Sequence, residues 1–301
     1  MMLPGGFSLG QYQLTLQARQ PLDLPEFKGS ALRGGFGHTL KALACQNPGG
    51  CLERCSLQND CAYGYIFETS PPPQSSVLRN MREIPRPFVI RPPLDPRSEI
   101  PTGDYLDFDL ILIGQARRYQ QLFVDTFQKL GHTRGLGQSR GKYTLLRMKL
   151  KAEIQARALA AYAGLLPADR LTLNFLTPTR LKQGGDWVRT GPPFQVLVRT
   201  LLRRGSALSY FHCGEPFEAD FRGLVDRAAE VQVVRNDSLW QDWSRFSGRQ
   251  KQRIEMGGLV GQVTYAGDLG DYLPLLALGE LVHVGKGTVF GNGQYQLITP
   301  S

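Results

Sequence analysis

The sequence predicts an α+β protein built from two consecutive ferredoxin-like domains, each running β-α-β-β-α-β, with a cysteine-rich insertion in the first. Three observations carry that prediction. Apolar residues alternate in some stretches and recur every three to four residues in others, so strands and helices interleave. The series of elements then begins again near the middle of the chain. Finally, the two halves end alike. GHTRGLGQSRGKYTLL in the first and VHVGKGTVFGNGQYQLI in the second each carry a histidine (His132, His283), a glycine-rich basic loop and a closing tyrosine (Tyr143, Tyr295).

In chain order, YQLTLQA (12–18) alternates as an opening strand, and FKGSALRGGFGHTLKALAC (27–45) is a loop entering a helix. A cysteine cluster follows, and then residues 68–98, whose prolines break any helix. DYLDFDLILIG (104–114) alternates as a strand, ARRYQQLFVDTFQKLG (116–131) has helical spacing, and KYTLLRMKL (142–150) closes the first half. A helix at 151–163 links the halves. LTLNFLT (171–177) is then a strand, PPFQVLVRTLLRRGSALSYF (192–211) a helix and GGLVGQVTYAG (257–267) a strand. YLPLLALGELV (272–282) is the last helix and GQYQLI (293–298) the final strand. The domains are expected at 1–160 and 165–301.

A chain of 301 residues can bury two modest cores, and its formal charge of +9 points to an anionic partner. Nucleic acid fits better than an anionic membrane surface. No apolar run reaches the roughly 18 residues of a membrane span, and the N-terminus lacks the basic and apolar regions of a signal peptide. The expectation is a cytoplasmic protein without membrane association, its cysteines reduced.

The loop GKGTVFGNGQ holds four glycines around Lys286 but matches no nucleotide motif. Five residues, not four, separate Gly279 from Gly285-Lys286, and Gly287 stands where a P-loop needs Ser or Thr. Gly285, Gly287 and Gly291 are spaced G-x-G-x-x-x-G at the end of the chain, not G-x-G-x-x-G in an early βαβ unit. The remaining reading is a loop whose bare backbone approaches a phosphate, with Lys286, or Arg140 and Lys142 in the first half, supplying charge.

Cys45, Cys51, Cys55 and Cys61 follow C-x5-C-x3-C-x5-C in a segment too polar to form its own core. Four thiolates so close in a reducing compartment point to a closed structural zinc site, with an iron–sulfur cluster the lesser alternative. Cys213 is expected in the core.

FKGSALRGGFGHTLKALAC, LTLNFLTPTRLK, WSRFSGRQKQRIEMGGLVGQVTYAG and GELVHVGKGTVFGNGQYQL together resemble the CRISPR-associated endoribonucleases of the RAMP superfamily that process precursor CRISPR RNA. The glycine-rich C-terminal segment is the hallmark of that resemblance. It implies tandem ferredoxin-like domains, repeat RNA as substrate, a CRISPR effector complex as a further partner, and metal-independent cleavage on the 3′ side of a repeat hairpin. It also implies a catalytic histidine in or just after the first helix.

Metal-independent RNA cleavage needs a base for the 2′-hydroxyl, an acid for the leaving 5′-oxygen and positive charge on the phosphate; histidine suits the first two roles. On the first predicted helix Leu32, Phe36, Leu40 and Leu43 trace an apolar face, while Gly34, His38 and Lys41 share another with Arg33 beside them. Glycines at 34, 35 and 37 weaken a helix, so something must pack or bind close to them. His38 is therefore the expected general base or acid, with Lys41 or Arg33 offsetting phosphate charge. The competing reading is a histidine bound to backbone. His283 and His132 are the next candidates, and His212 is expected to be structural. Arg180, Lys182, Arg203, Arg204 and the run at 245–253 extend the basic surface, with Trp240, Trp243 and Phe246 near it for stacking. A subunit that holds CRISPR RNA without cutting it and a zinc-stabilised protein scaffold are the rival functions.

Overall fold

Alternation sets the first strand: Leu14, Leu16 and Ala18 are buried along β1 (Ser8–Ala18), while Gln13 and Gln17 stay partly exposed. The computed structural model describes residues 3–45, 61–69, 71, 84–247 and 252–299. After β1 come α1 (Gly29–Ala44), β2 (Phe88–Arg91), β3 (Tyr105–Ile113), α2 (Gln120–Thr133) and β4 (Tyr143–Gln155). The second half repeats the series as β5 (Arg170–Thr179), α3 (Phe194–Leu208), β6 (Gln232–Asn236), β7 (Gly258–Ala266), α4 (Leu273–Val282) and β8 (Tyr295–Ile298).

The sheet orders are β2-β3-β1-β4 and β6-β7-β5-β8. In each half the first and third strands pair antiparallel at the centre, and the second and fourth strands lie outside them. The chain divides into two compact units, one of Ser8–Ile154 with Ala207–Gly214, the other of Met1–Phe7, Gln155–Ser206 and Glu215–Ser301. No helix among the described residues is long and apolar enough to cross a membrane.

Among the strands that escape the sequence reading, two occupy corresponding places. β2 is four residues long between Pro87 and Pro92, and it lies at a sheet edge, where a flanking proline costs no ladder bond. β6 lies at the matching edge with every residue exposed, so it offers no alternation to read; its pairing with β7 shifts register between Val233 and Arg235. The predicted helix at 151–163 is also corrected. β4 runs on to Gln155 with burial alternating at its end, and only Ala156–Ala163 is helical.

The cysteine-rich insertion lies mostly outside the described residues, Cys51 and Cys55 among them. Where the chain is described again, Cys61 caps a short helix, Ala62–Ile66. Its Sγ accepts from the Gly64 N–H at 3.4 Å and donates to the Ala44 carbonyl at 3.6 Å.

Phe36 is the hub of the first core, with ring centroids 4.8 Å from Phe123, 5.2 Å from Phe127 and 5.7 Å from Phe88. In the second unit Phe194 plays that part, 5.1 Å from Tyr265 and 5.2 Å from Tyr272.

Candidate active site and nucleic-acid interface

Burial of Leu32, Phe36 and Leu40 fixes the rotation of α1. His38 and Lys41 consequently lie exposed on its other side; Leu43 is 38% exposed and does not join the apolar face. The helix glycines divide by purpose. A Cβ on Gly35 would meet Leu130 at 2.9 Å, and one on Gly37 would meet the Phe67 ring at 2.0 Å, so both serve packing. Gly34, one turn before His38, has nothing within 4 Å of its Cβ position. The surface beside His38 is therefore bare backbone.

The charges around His38 come from two elements. Partial desolvation, then Arg134, Arg33 and Lys41 in that order, push its imidazole below the ordinary histidine pKa of about 6.5. Arg134 follows α2 as its C-terminal cap residue and was not legible as a partner of α1. The Arg33 guanidinium lies 4.0 Å above the Phe67 ring, and Arg86 binds the Phe67 carbonyl through Nε at 2.5 Å. The Lys41 ammonium stands 6.0 Å from the Tyr63 ring. Ring contacts thus help to position two of the cations. At neutral pH this arrangement offers an uncharged imidazole among three cations.

The glycine-rich loops turn out to approach the chain's own backbone. A Cβ on Gly137 would sit 2.0 Å from the Asp23 carbonyl oxygen; on Gly285, 2.4 Å from that of Arg180; and on Gly293, 1.8 Å from that of Val284. Gly285, Gly287, Gly291 and Gly293 all take positive φ. The Gly291 carbonyl accepts from Thr177 Oγ1 at 2.8 Å. The glycines expected at a phosphate are thus engaged in tight turns, and charge at the tip is left to Lys286, which is exposed.

His283 is corrected in the same way. It is wholly buried, its N–H closes α4 onto the Gly279 carbonyl at 2.8 Å, and its Nδ1–H donates to the Asn292 carbonyl at 3.1 Å. With φ of 63° it joins Arg140, at 53°, as one of two non-glycine residues with positive φ among the described residues, one in each glycine-rich loop. It holds the loop in shape and presents no surface to RNA. Lys142 is engaged too, its ammonium donating to the Thr133 carbonyl at the end of α2. Arg140 is exposed, as is His132.

The two closing tyrosines account for the similar endings. Tyr143 Oη donates to the Phe127 carbonyl of α2 at 2.8 Å, and Tyr295 Oη to the Leu276 carbonyl of α4 at 2.6 Å. Each ring packs where its helix has a glycine: a Cβ on Gly131 would lie 2.9 Å from the Tyr143 ring, and one on Gly279 would lie 2.0 Å from Tyr295 Oη. The shared motif ties a helix to the strand that follows it.

His212 is structural, donating through Nε2–H to the Pro85 carbonyl at 2.8 Å. Arg204 is buried, and its Nε donates to the Val282 carbonyl at 2.8 Å, so it leaves the basic surface to Arg203. The zinc expectation is not supported: among the described residues no group of three or more His, Cys, Asp or Glu can hold a metal ion. Cys61 already serves as a helix cap.

Arg180, Lys182 and Lys286 do come together, around a residue the sequence reading passed over. Trp187 has the Arg180 guanidinium 4.1 Å from its ring centroid, the Lys182 ammonium at 4.7 Å and the Lys286 ammonium at 5.6 Å. The signal for it was KQGGDW, a Gly-Gly pair between two short strands, which marks a tight hairpin.

Residues 173–295 match the family model described as CRISPR-associated endoribonuclease Cas6, and residues 7–164 match one described as an N-terminal domain. No curated protein matches the sequence. Among solved structures, a Cas6 product complex is 17% identical with a TM-score of 0.61, the match covering 96% of this chain and 100% of that one. The Cas6 of Thermus thermophilus is 15% identical with a TM-score of 0.56, covering 97% of this chain and 99% of that one. A partial Cas6-RT-Cas1–Cas2 complex is 14% identical with a TM-score of 0.59, covering 100% of this chain and 47% of that one. At such identities the structural likeness establishes the fold. The second half of the chain thus matches the CRISPR-associated endoribonuclease Cas6 family model, and the chain shares the fold of Cas6 structures along nearly its whole length.

Proposed function

We propose that this protein binds CRISPR repeat RNA on tandem ferredoxin-like domains and cuts precursor CRISPR RNA by attack of the RNA's own 2′-hydroxyl, without a metal ion. The observation that carries the reading is the neutral, exposed His38 among Arg33, Lys41 and Arg134. Neutral imidazole is the form that accepts a proton. His38 takes the proton of the 2′-hydroxyl, whose oxygen attacks the adjacent phosphorus, while the cations offset the charge gathering on the phosphate oxygens. The imidazolium so formed is a stronger acid than usual, for the same electrostatic reason, and returns the proton to the departing 5′-oxygen. The products are a 2′,3′-cyclic phosphate and a 5′-hydroxyl. Solved relatives described as a Cas6 product complex and a Cas6-RT-Cas1–Cas2 complex support RNA and CRISPR complexes as partners.

The pH dependence follows from the sign of the shift. Because the neutral form is active and the pKa is depressed, kcat/KM should rise with pH through a midpoint below 6.5 and stay level above it. Arg134→Gln removes the largest of the cationic contributions and should move that midpoint upward. A midpoint that stays put, or moves down, would detach Arg134 from the site.

Gly34→Ala separates a helix role from an RNA role. Nothing surrounds the new methyl group, so the helix should gain roughly 0.5–1 kcal/mol of stability. If RNA packs on the bare backbone beside His38, cleavage should nonetheless slow. A more stable variant with unchanged cleavage would place the RNA elsewhere.

A further inference from the structure

The cations around Trp187 are gathered from three pieces of chain. Lys182 and Trp187 face each other across a two-stranded ladder, Lys182–Gln183 with Asp186–Trp187, closed by Gly184 and Gly185 at φ of 59° and 100°. Two successive positive φ values make the tight turn that joins such strands, and Cβ positions on both glycines meet nothing within 4 Å. Arg180 comes from the residue just past β5, fixed by its Nη1 bond to the Glu255 carbonyl at 2.8 Å. Lys286 comes from the C-terminal loop, whose N–H at that residue donates to the Arg180 carbonyl at 3.2 Å. The loop and the hairpin are thus tied together through Arg180.

Three like charges within 6 Å of one ring repel one another; the Glu255 carboxylate attracts the Arg180 guanidinium, but among the described residues no ion pair within 4 Å joins a carboxylate to any of the three. Trp187 is itself only half-buried, on a hairpin whose tip is open. An aromatic ring with a guanidinium and two ammonium groups over it suits single-stranded nucleic acid: a base stacks on the ring or on the guanidinium plane, and the cations take the flanking phosphates.

We infer that Trp187 is a stacking platform for an unpaired base of the bound RNA, with Lys182, Lys286 and Arg180 holding the phosphates beside it. This rests on the RNA-binding reading above and names a single-stranded segment, not the repeat hairpin, as the occupant. The platform belongs to the unit that holds β5 to β8, and its preference is for an exposed π-face over any particular base.

The test uses the full chain and a single-stranded oligoadenylate ten-mer, alongside the same strand with abasic nucleotides at its centre. Wild-type protein should bind the intact strand about ten-fold or more tightly than the abasic one, and stacking should quench its tryptophan fluorescence. Trp187→Ala should lose that preference, binding both strands alike, whereas Trp187→Phe should keep most of it. Lys182→Ala should instead reduce the slope of log affinity against log salt by about 0.7, as for one phosphate contact on a single strand. Equal binding of intact and abasic strands by the wild type, or no binding of oligoadenylate at low salt, would overturn the platform. So would a Trp187→Ala variant that melts earlier yet retains the preference, since the cations would then only brace the hairpin. Cleavage of repeat RNA by the wild type, run in parallel, shows whether the functional reading survives such a failure.

Discussion

Replacing His38 by alanine is expected to slow single-turnover cleavage of a repeat RNA by about 10²–10⁴-fold while RNA affinity barely changes. The structure also fixes what should happen to stability. His38 is exposed, and no hydrogen bond from another described residue holds its ring. Its loss should therefore move stability by no more than about 0.5 kcal/mol, with alanine's better helix propensity pulling upward. A histidine bound to backbone, as His283 is, would behave in the opposite way: melting earlier, with cleavage per folded molecule intact. Lys41→Ala should cost less than His38→Ala, because Lys41 offsets charge and carries no proton the reaction requires. An unslowed His38→Ala would leave exposed His132 as the remaining candidate, since His212 and His283 are buried.

The second large effect is expected at Gly293, and it should appear in folding before it appears in binding. Valine there would have to adopt a φ of 73° and place its Cβ 1.8 Å from the Val284 carbonyl oxygen. Strain and overlap together should destabilise the protein by about 4 kcal/mol or more, a fall in melting temperature of roughly 10 °C. Gly287→Ala is a calibrating contrast. Its φ of 80° is also unfavourable, but the nearest atom to its Cβ is the Asn292 amide nitrogen at 3.1 Å, so about 1–2 kcal/mol is expected. If Gly293→Val melts like the wild type and fails only in RNA binding, the glycines contact RNA and not the chain's own carbonyls.

The repeat was legible because its marks are local. The helix glycine, the basic turn and the closing tyrosine lie close together in sequence, and the hydrogen bonds of Tyr143 and Tyr295 explain why they travel together. What those glycines touch was not legible. A glycine that lets backbone approach a phosphate and one that lets it approach the carbonyl of Arg180 look identical in sequence. The edge strands Phe88–Arg91 and Gln232–Asn236 were missed because one is short and framed by prolines, and the other is exposed along its length.

The same division runs through the site. The spacing on α1 placed His38 opposite the apolar face, because helical periodicity is a property of one segment. Arg134 reaches the same electrostatic neighbourhood from the end of α2, a contact between elements about a hundred residues apart that no single stretch displays. The set of Arg180, Lys182 and Lys286 around Trp187 likewise needs the fold to bring the C-terminal loop to a hairpin. The zinc expectation rested on cysteine density and spacing in a polar segment, and Cys61 shows how a thiol in such a cluster can serve as a helix cap.

The most direct test of the account is cleavage, in EDTA, of a repeat RNA carrying one 2′-deoxy nucleotide at the mapped cut site. The all-ribose strand should be cut to a 2′,3′-cyclic phosphate and a 5′-hydroxyl by wild-type protein. The deoxy strand should remain whole at that bond, because the nucleophile has been removed from the substrate. Cleavage of the deoxy strand at the same bond, or loss of all cleavage in EDTA with recovery in Mg²⁺, would contradict the mechanism.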